Sequence, residues 1–326
     1  MTKTSVIAII APFLLLGQNE SSQFFAHRIS PTHKKNITSV VTDYTGTNWI
    51  GTLNGLICYN GEKWRVATTK NSIIPSNKVL CIAISKDTKY IGTSKGLLVI
   101  KKNTWTVFNT QNSNLPSNKI RKIIINKEAV WLATSKGLVK YKDEFYTVLS
   151  SKKNSISDDN FISMAIDKNN FIWLGTNTGV YSFKNNIWRV FNTQNSAIPN
   201  NQIKAIVVDG ENKKWIATKK GIATFKENNW CFFNKKNTPL RPKTIRTMIY
   251  DDYDRIWVGT EKGLFSYEGK KWKKHKIDKK TPFIVNLFVD GFDNKWVSTP
   301  TGITLYNSEG VEFKHNTPNN TVLVIK

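Results

Sequence analysis

The feature that most constrains this chain is a repeat. From Trp173 it reads WLGTNTGV: a large aromatic, an aliphatic, a small residue, Thr, two variable residues, Gly and an aliphatic. The same core occurs as WIGTLNGL from Trp49, YIGTSKGL from Tyr90, WLATSKGL from Trp131, WIATKKGI from Trp215, WVGTEKGL from Trp257 and WVSTPTGI from Trp296. Successive starts are 41, 41, 42, 42, 42 and 39 residues apart. Seven copies at such a period define a repeat protein, in which each unit buries its apolar surface against its neighbours.

One unit, Ile203–Phe233, reads IKAIVVDGENKKWIATKKGIATFKENNWCFF. Four short segments rich in β-branched and aromatic residues alternate with Asp, Gly, Asn and Lys turns, the pattern of strands. They are designated A (Ile203–Asp209), B (Lys214–Thr218), C (Ile222–Phe225) and D (Trp230–Phe233). The B–C link carries Gly55, Gly96, Gly137, Gly179, Gly221, Gly263 and Gly302 at one register. A tight hairpin needs positive φ there, which glycine adopts without steric cost. The preceding Thr also recurs, and its hydroxyl is expected to bond within the turn. No segment holds a 3.6-residue period over three turns, which excludes helical repeats. The expected fold is all-β: a seven-bladed β-propeller of four-stranded antiparallel blades. Units start near residues 37, 79, 120, 161, 203, 245 and 284.

All eleven tryptophans fall in two slots. Trp49, Trp131, Trp173, Trp215, Trp257 and Trp296 open segment B, with Tyr90 in the remaining slot, that of the second unit. Trp64, Trp105, Trp188, Trp230 and Trp272 open segment D, with Phe145 and Phe313 in two further units. Indoles at such positions are expected between blades as core. The small residue after the aliphatic (Gly51, Gly92, Ala133, Gly175, Ala217, Gly259, Ser298) is expected to make room for a neighbouring blade's aromatic. The ring's last edge could be covered from either end, by Phe24–Ile29 or by Thr321–Ile325.

The propeller is expected over residues 24–316, with residues 317–326 a tail. Residues 1–22 have the layout of a signal peptide: Lys3, an apolar run from Val6 to Leu16, then polar residues. The run is too short for a permanent membrane span, so an exported, periplasmic or cell-surface protein is expected. Gln18 stands where a lipoprotein box would need Cys. Cys58, Cys81 and Cys231 are too few for a disulfide framework or zinc site and read as small buried hydrophobes.

Net charge is +25, from 48 basic and 23 acidic residues. Segment order puts the A–B and C–D links on one face and the B–C and D–A links on the other. The first face receives 17 of the 23 acids and is near neutral. The second gathers the basic excess, with Lys95, Lys136, Lys219, Lys220 and Lys262 in B–C hairpins, and should attract an anionic partner. At the channel mouth the second residue of segment A is Arg121, Lys204 and Arg246 in three units. These cations either converge on a ligand at the axis or are solvated strand-end charges. The D–A loops, such as NTQNSNLPSNK (Asn109–Lys119), carry amides and hydroxyls that suit hydroxyl-rich ligands or serve as turn chemistry.

His27, His33, His275 and His315 lack metal-ligand spacing, and Asp158–Asp159 and Asp251–Asp252 read as turn residues. No cofactor, metal site or catalytic set is expected. Lysines outnumber arginines 41 to 7 and the aromatics are committed to the core. Bidentate base readout and stacking therefore lack equipment, and no nucleic-acid partner is expected.

The unit I..I..D..G..WIGT..GL..Y..G.W..F resembles the two-component regulator propeller repeat. Tyr90 and the Ala or Ser replacements are mild departures. The resemblance implies an extracytoplasmic sensor module that recognises an oligosaccharide or another polar or anionic ligand, with a membrane histidine kinase as partner. No phosphoacceptor-His helix, ATP-binding segment or membrane span follows the repeats, so a non-catalytic binding module is expected. Streptogramin-type lyases are also seven-bladed propellers with a Trp-bearing repeat, a resemblance in architecture that implies an enzyme as the alternative. Their catalytic His and Glu pairing is not recognisable here. Similar propellers in surface and secretion-system proteins imply a scaffold as a second alternative.

Overall fold

The computed structural model describes residues 37–60, 63–126, 129–142, 145–149, 158–234, 236–241, 244–275, 277, 283–300 and 302–307. Among the described residues, alternating β-branched and aromatic residues form 27 strands. Blade 1 holds β1 (Ile37–Thr42), β2 (Asn48–Thr52), β3 (Gly55–Tyr59) and β4 (Trp64–Ala67). Blade 2 holds β5 (Val79–Ser85), β6 (Thr88–Thr93), β7 (Leu97–Lys101) and β8 (Thr104–Phe108). Blade 3 holds β9 (Ile120–Asn126), β10 (Ala129–Thr134), β11 (Gly137–Lys142) and β12 (Phe145–Leu149). Blade 4 holds β13 (Ser163–Ile166), β14 (Ile172–Gly175), β15 (Val180–Lys184) and β16 (Ile187–Phe191). Blade 5 holds β17 (Ile203–Val208), β18 (Lys214–Thr218), β19 (Gly221–Lys226) and β20 (Asn229–Phe233). Blade 6 holds β21 (Ile245–Tyr250), β22 (Ile256–Thr260), β23 (Gly263–Tyr267) and β24 (Trp272–His275). Blade 7 holds β25 (Asn286–Val289), β26 (Lys295–Thr299) and β27 (Gly302–Tyr306).

Strands pair antiparallel in sequence order within every blade, in six sheets of four strands and one of three among the described residues. The fold is the expected seven-bladed β-propeller. The first strands of the blades line the axis, each packed on the next, and β25 packs on β1 to close the ring. Asn286 Nδ2 donates to the Ile37 carbonyl across that closure at 3.2 Å. Trp296 and Leu305 of blade 7 share a core with Ile37, Val40 and Tyr59 of blade 1. Both terminal segments considered for ring closure, and the signal-peptide stretch, lie outside the described residues.

In blades 1 to 6 the hairpin between second and third strands is set by its Thr–Gly pair. Thr218 Oγ1 donates to the Gly221 carbonyl at 2.9 Å and accepts the Lys220 amide at 3.2 Å. The same pair of bonds recurs at Thr52, Thr93, Thr134, Thr176 and Thr260. Gly221 has φ +149, and a Cβ there would stand 2.4 Å from the Phe233 carbonyl oxygen. Two constraints, dihedral and space, therefore require glycine.

Between blades, the indole from one second strand meets the third-strand aromatic of the next blade. Trp131–Phe183, Trp173–Phe225, Trp215–Tyr267 and Trp257–Tyr306 have ring centroids 5.4–6.0 Å apart. Trp131, Trp173, Trp215, Trp257 and Trp296 are buried, whereas Trp49 and the tryptophans of the outer strands are half-buried. The small residues after the aliphatic face aliphatics, not aromatics. A Cβ on Gly51, Gly92, Gly175 or Gly259 would meet Val79, Ile120, Ile203 or Ile284 at 2.6–2.8 Å. The indole lies further out along the strand, so the close approach belongs to the next blade's first apolar residue. Of the cysteines, Cys81 is buried, Cys58 half-buried and Cys231 exposed. Cys231 departs from expectation because it lies on an outer strand.

Candidate functional site: the axial channel

Antiparallel order fixes two faces. The hairpins between second and third strands open on the face where the first strands begin. Lys95, Lys136, Lys219, Lys220 and Lys262 are exposed there in those hairpins. The turns between first and second strands open on the opposite face.

The first strands enclose an axial channel of about 640 Å³. In five blades the pairing with the second strand shifts register at the residue nearest the hairpin face: Thr38, Leu80, Arg121, Lys204 and Arg246. A β-bulge places one extra residue there and re-aims its side chain. All five line the channel, as do Ile162 of blade 4 and Lys122 of blade 3. Arg121, Lys204 and Arg246 thus share one cavity. Among the described residues the buried Arg121 Nε has no acceptor, and the buried hydroxyl of Ser163 on the adjacent blade has no partner. Both atoms belong to residues lining the channel. Orphan polar groups of this kind cost free energy unless a ligand or water satisfies them. Lys204 is exposed with no acid against it among the described residues. Arg246 is less available: it pairs with Glu261 of the adjoining hairpin and lies 5.0 Å over the Phe283 ring.

The loops between blades are self-contained. Asn112 Oδ1 accepts the Asn109 amide and its Nδ2 donates to the Val107 carbonyl, while Asn118 accepts the Thr110 amide. Asn195 with Asn201, and Asn71 with Asn77, repeat the arrangement. These bonds hold the loops and engage the Oδ1 atoms of all six asparagines and the Nδ2 atoms of Asn71, Asn112 and Asn195.

The opposite face carries a device that sequence reading missed. In five blades an Asp after the first strand accepts the indole N–H of the Trp six residues on, at 2.7–2.9 Å: Asp43–Trp49, Asp167–Trp173, Asp209–Trp215, Asp251–Trp257 and Asp290–Trp296. The other oxygen accepts turn amides two and four residues on. At three junctions a lysine of the next blade completes the group. Lys214 Nζ is 2.8 Å from Asp167, Lys295 is 2.9 Å from Asp251, and Lys89 is 3.5 Å from Asp43. Burial alone would raise these carboxyls, but the lysine, indole and amide contacts of Asp167 and Asp251 more than offset it. All three lie below the usual aspartate range, Asp43 through hydroxyl, indole and amide bonds. The signal was present in the sequence as Asp six residues before Trp, hidden because those acids also read as solvated turn residues.

His275 has no place in a site. Its ring stacks 4.4 Å from Trp257, its Nε2 lies 2.9 Å from Ser266 Oγ, and burial with Lys273 and Arg255 lowers its pKa to about 4. Among the described residues no group of His, Cys, Asp and Glu could hold a metal ion. No helix of the described residues is long and apolar enough to cross a membrane.

The family model for the two component regulator propeller matches residues 155–178. No curated protein matches the sequence. The chain is similar to the extracellular domain assigned to the hybrid two component system BT3049 of B. thetaiotaomicron, with TM-score 0.70 and 17% identity, over 83% of this chain and 40% of that one. It therefore spans less than half the length of that sensor ectodomain. It is also similar to a catalytically inactive virginiamycin B lyase of Staphylococcus aureus bound to quinupristin, with TM-score 0.68 and 12% identity, over 84% and 95% of the two chains. YCF48 from Cyanidioschyzon merolae matches with TM-score 0.65 and 12% identity, over 87% and 98%. Identities this low establish the shared fold alone.

Proposed function

We propose that this chain is a non-catalytic, exported sensor-type propeller that captures a polar, anionic ligand at the axial mouth on its hairpin face. The observation that carries the reading is the convergence of Arg121, Lys204 and Arg246 on one channel, where the Nε of Arg121 and the hydroxyl of Ser163 are orphan polar atoms. Exposed hairpin lysines surround that mouth with a positive field that steers anions toward it. Similarity to extracellular domains of two-component systems supports a signalling role and an exported location, and a membrane histidine kinase is the partner this reading calls for.

The test is a titration with an oligogalacturonate probe against a neutral cello-oligosaccharide of equal length. The acidic probe binds at low salt, weakens as salt rises, and binds at least about tenfold more weakly to the Arg121→Ala/Lys204→Ala/Arg246→Ala variant. Equal affinity for the two probes, or for the variant, overturns the reading. An enzyme of the lyase kind is the competing reading, favoured by near full-length similarity to virginiamycin B lyase. It is disfavoured by the enclosure of His275, the one histidine among the described residues. Turnover of a streptogramin by the purified protein would decide for it.

A further inference from the structure

The Asp–Trp cap is uneven around the opposite face. Five blades have both Asp and Trp; blade 2 has neither, since Tyr90 replaces the indole. Blade 3 alone keeps the indole, Trp131, without the acid. By register, Ile124 pairs with Trp131 and Ile125 with Val130. In blade 1, Val41 pairs with Trp49 and Thr42 with Asn48, so Asn126 occupies the place of Asp43. Its amide turns aside, donating to Asn170 Oδ1 of blade 4 at 2.9 Å. The indole N–H of Trp131 has no acceptor among the described residues, and unlike the orphan indole nitrogens of Trp188 and Trp272 it is not sealed from solvent.

The lysine that faces such acids from the next blade is also missing, because Ile172 stands where Lys89, Lys214 and Lys295 stand elsewhere. In place of the ion pair lies a cleft of about 400 Å³ between blades 3 and 4, lined by Trp131, Asn126, Asn170 and the amides of Asn185 and Asn186. Two further liners are cationic. Lys140 Nζ stands 5.6 Å over the Trp131 ring and Lys184 Nζ 4.8 Å over the Phe171 ring. Neither ammonium has an acid partner among the described residues; Lys127 and Glu128 of the adjoining hairpin lie outside them. An unmatched indole donor, two ammonium groups and a rim of amides form the recognition chemistry of a carboxylate.

We propose that this cleft binds a small hydroxylated carboxylate, whose carboxyl takes the position left vacant by the missing aspartate. One oxygen accepts the Trp131 indole N–H, Lys140 and Lys184 balance the charge, and the amides take up hydroxyl groups.

The experiment follows the eleven indole N–H resonances of the full chain labelled with ¹⁵N-tryptophan, assigning Trp131 by Trp131→Phe. Glucuronate is the probe and glucose its uncharged counterpart. Glucuronate moves the Trp131 resonance saturably toward the five acid-capped indoles, and Lys140→Gln with Lys184→Gln weakens that response at least about tenfold. Asn126→Asp supplies the acceptor internally: it moves Trp131 to the capped position without ligand and abolishes the response. Arg121→Ala with Lys204→Ala leaves the response intact, which separates this cleft from the axial mouth. No shift, equal shifts with glucose, or an unaltered response in Asn126→Asp overturns the proposal.

Discussion

Lys295 shows how a single residue decides local energetics. Its side chain is fully buried, with Nζ 2.9 Å from Asp251 of the preceding blade and 2.6 Å from Asp293 of its own. Removing one member leaves uncompensated buried charge. Lys295→Met is therefore expected to destabilise the protein by about 3–5 kcal/mol in denaturant unfolding, against about 0.5 or less for exposed Lys262→Met. His275 gives a second residue-level expectation. Its pKa of about 4 lies below the unfolded histidine value, so the unfolded chain binds the proton first as pH falls. The stabilisation is complete above about pH 6.5, declines between there and about pH 4, and changes no further below. Stability measured at pH 7 and pH 5 should differ by roughly 2 kcal/mol more in the wild type than in His275→Gln. Equal differences would contradict the enclosed, neutral ring.

At the scale of the element, the unit of design is the Thr–Gly hairpin joined to the Asp–Trp turn at the other end of the same strand. Gly221→Ala places a Cβ against the Phe233 carbonyl oxygen at positive φ. A loss of at least about 1–3 kcal/mol is expected, checked by thermal unfolding of that variant beside Ala223→Gly as a strand control. The hairpin half of the unit was legible in the sequence, because a glycine and a hydroxyl donor at fixed spacing between two apolar runs suit a tight turn and little else. The aspartate half was not. An acid in a turn is chemically plausible without any partner, and only the fold brings its carboxylate onto an indole six residues away and a lysine from another blade. The channel cations lie between these cases. Their place at the start of the first strand could be read from the repeat, but the bulge that turns them to the axis is a register shift. The pairing of Arg246 with Glu261 depends on a hairpin geometry that spacing alone does not encode.

Across the whole molecule, seven sheets built on one repeat close into a ring whose junctions are not equivalent. Among the described residues three are tied by Lys–Asp pairs, between blades 1 and 2, 4 and 5, and 6 and 7. Asp43, Asp167 and Asp251 are depressed below the ordinary carboxyl value. Their contribution is complete above the unfolded aspartate pKa of about 3.9 and is lost as pH falls through their lower folded values. Acid unfolding should consequently shift to higher pH in Asp167→Asn, and amide exchange should rise first at the blade 4–5 junction in that variant; unchanged acid unfolding would contradict the junction's role. The same ring turns its bulged, cationic residues toward the axis at one end and its acid-capped indoles toward the other. The most direct measurement of that polarity is a crystal structure of the full chain soaked with the oligogalacturonate probe. Carboxylate density is expected at the axial mouth within hydrogen-bonding reach of Arg121 and Lys204, on the face that carries Lys95, Lys136 and Lys262. An empty mouth at saturating probe, in a crystal whose packing leaves it open, would contradict it.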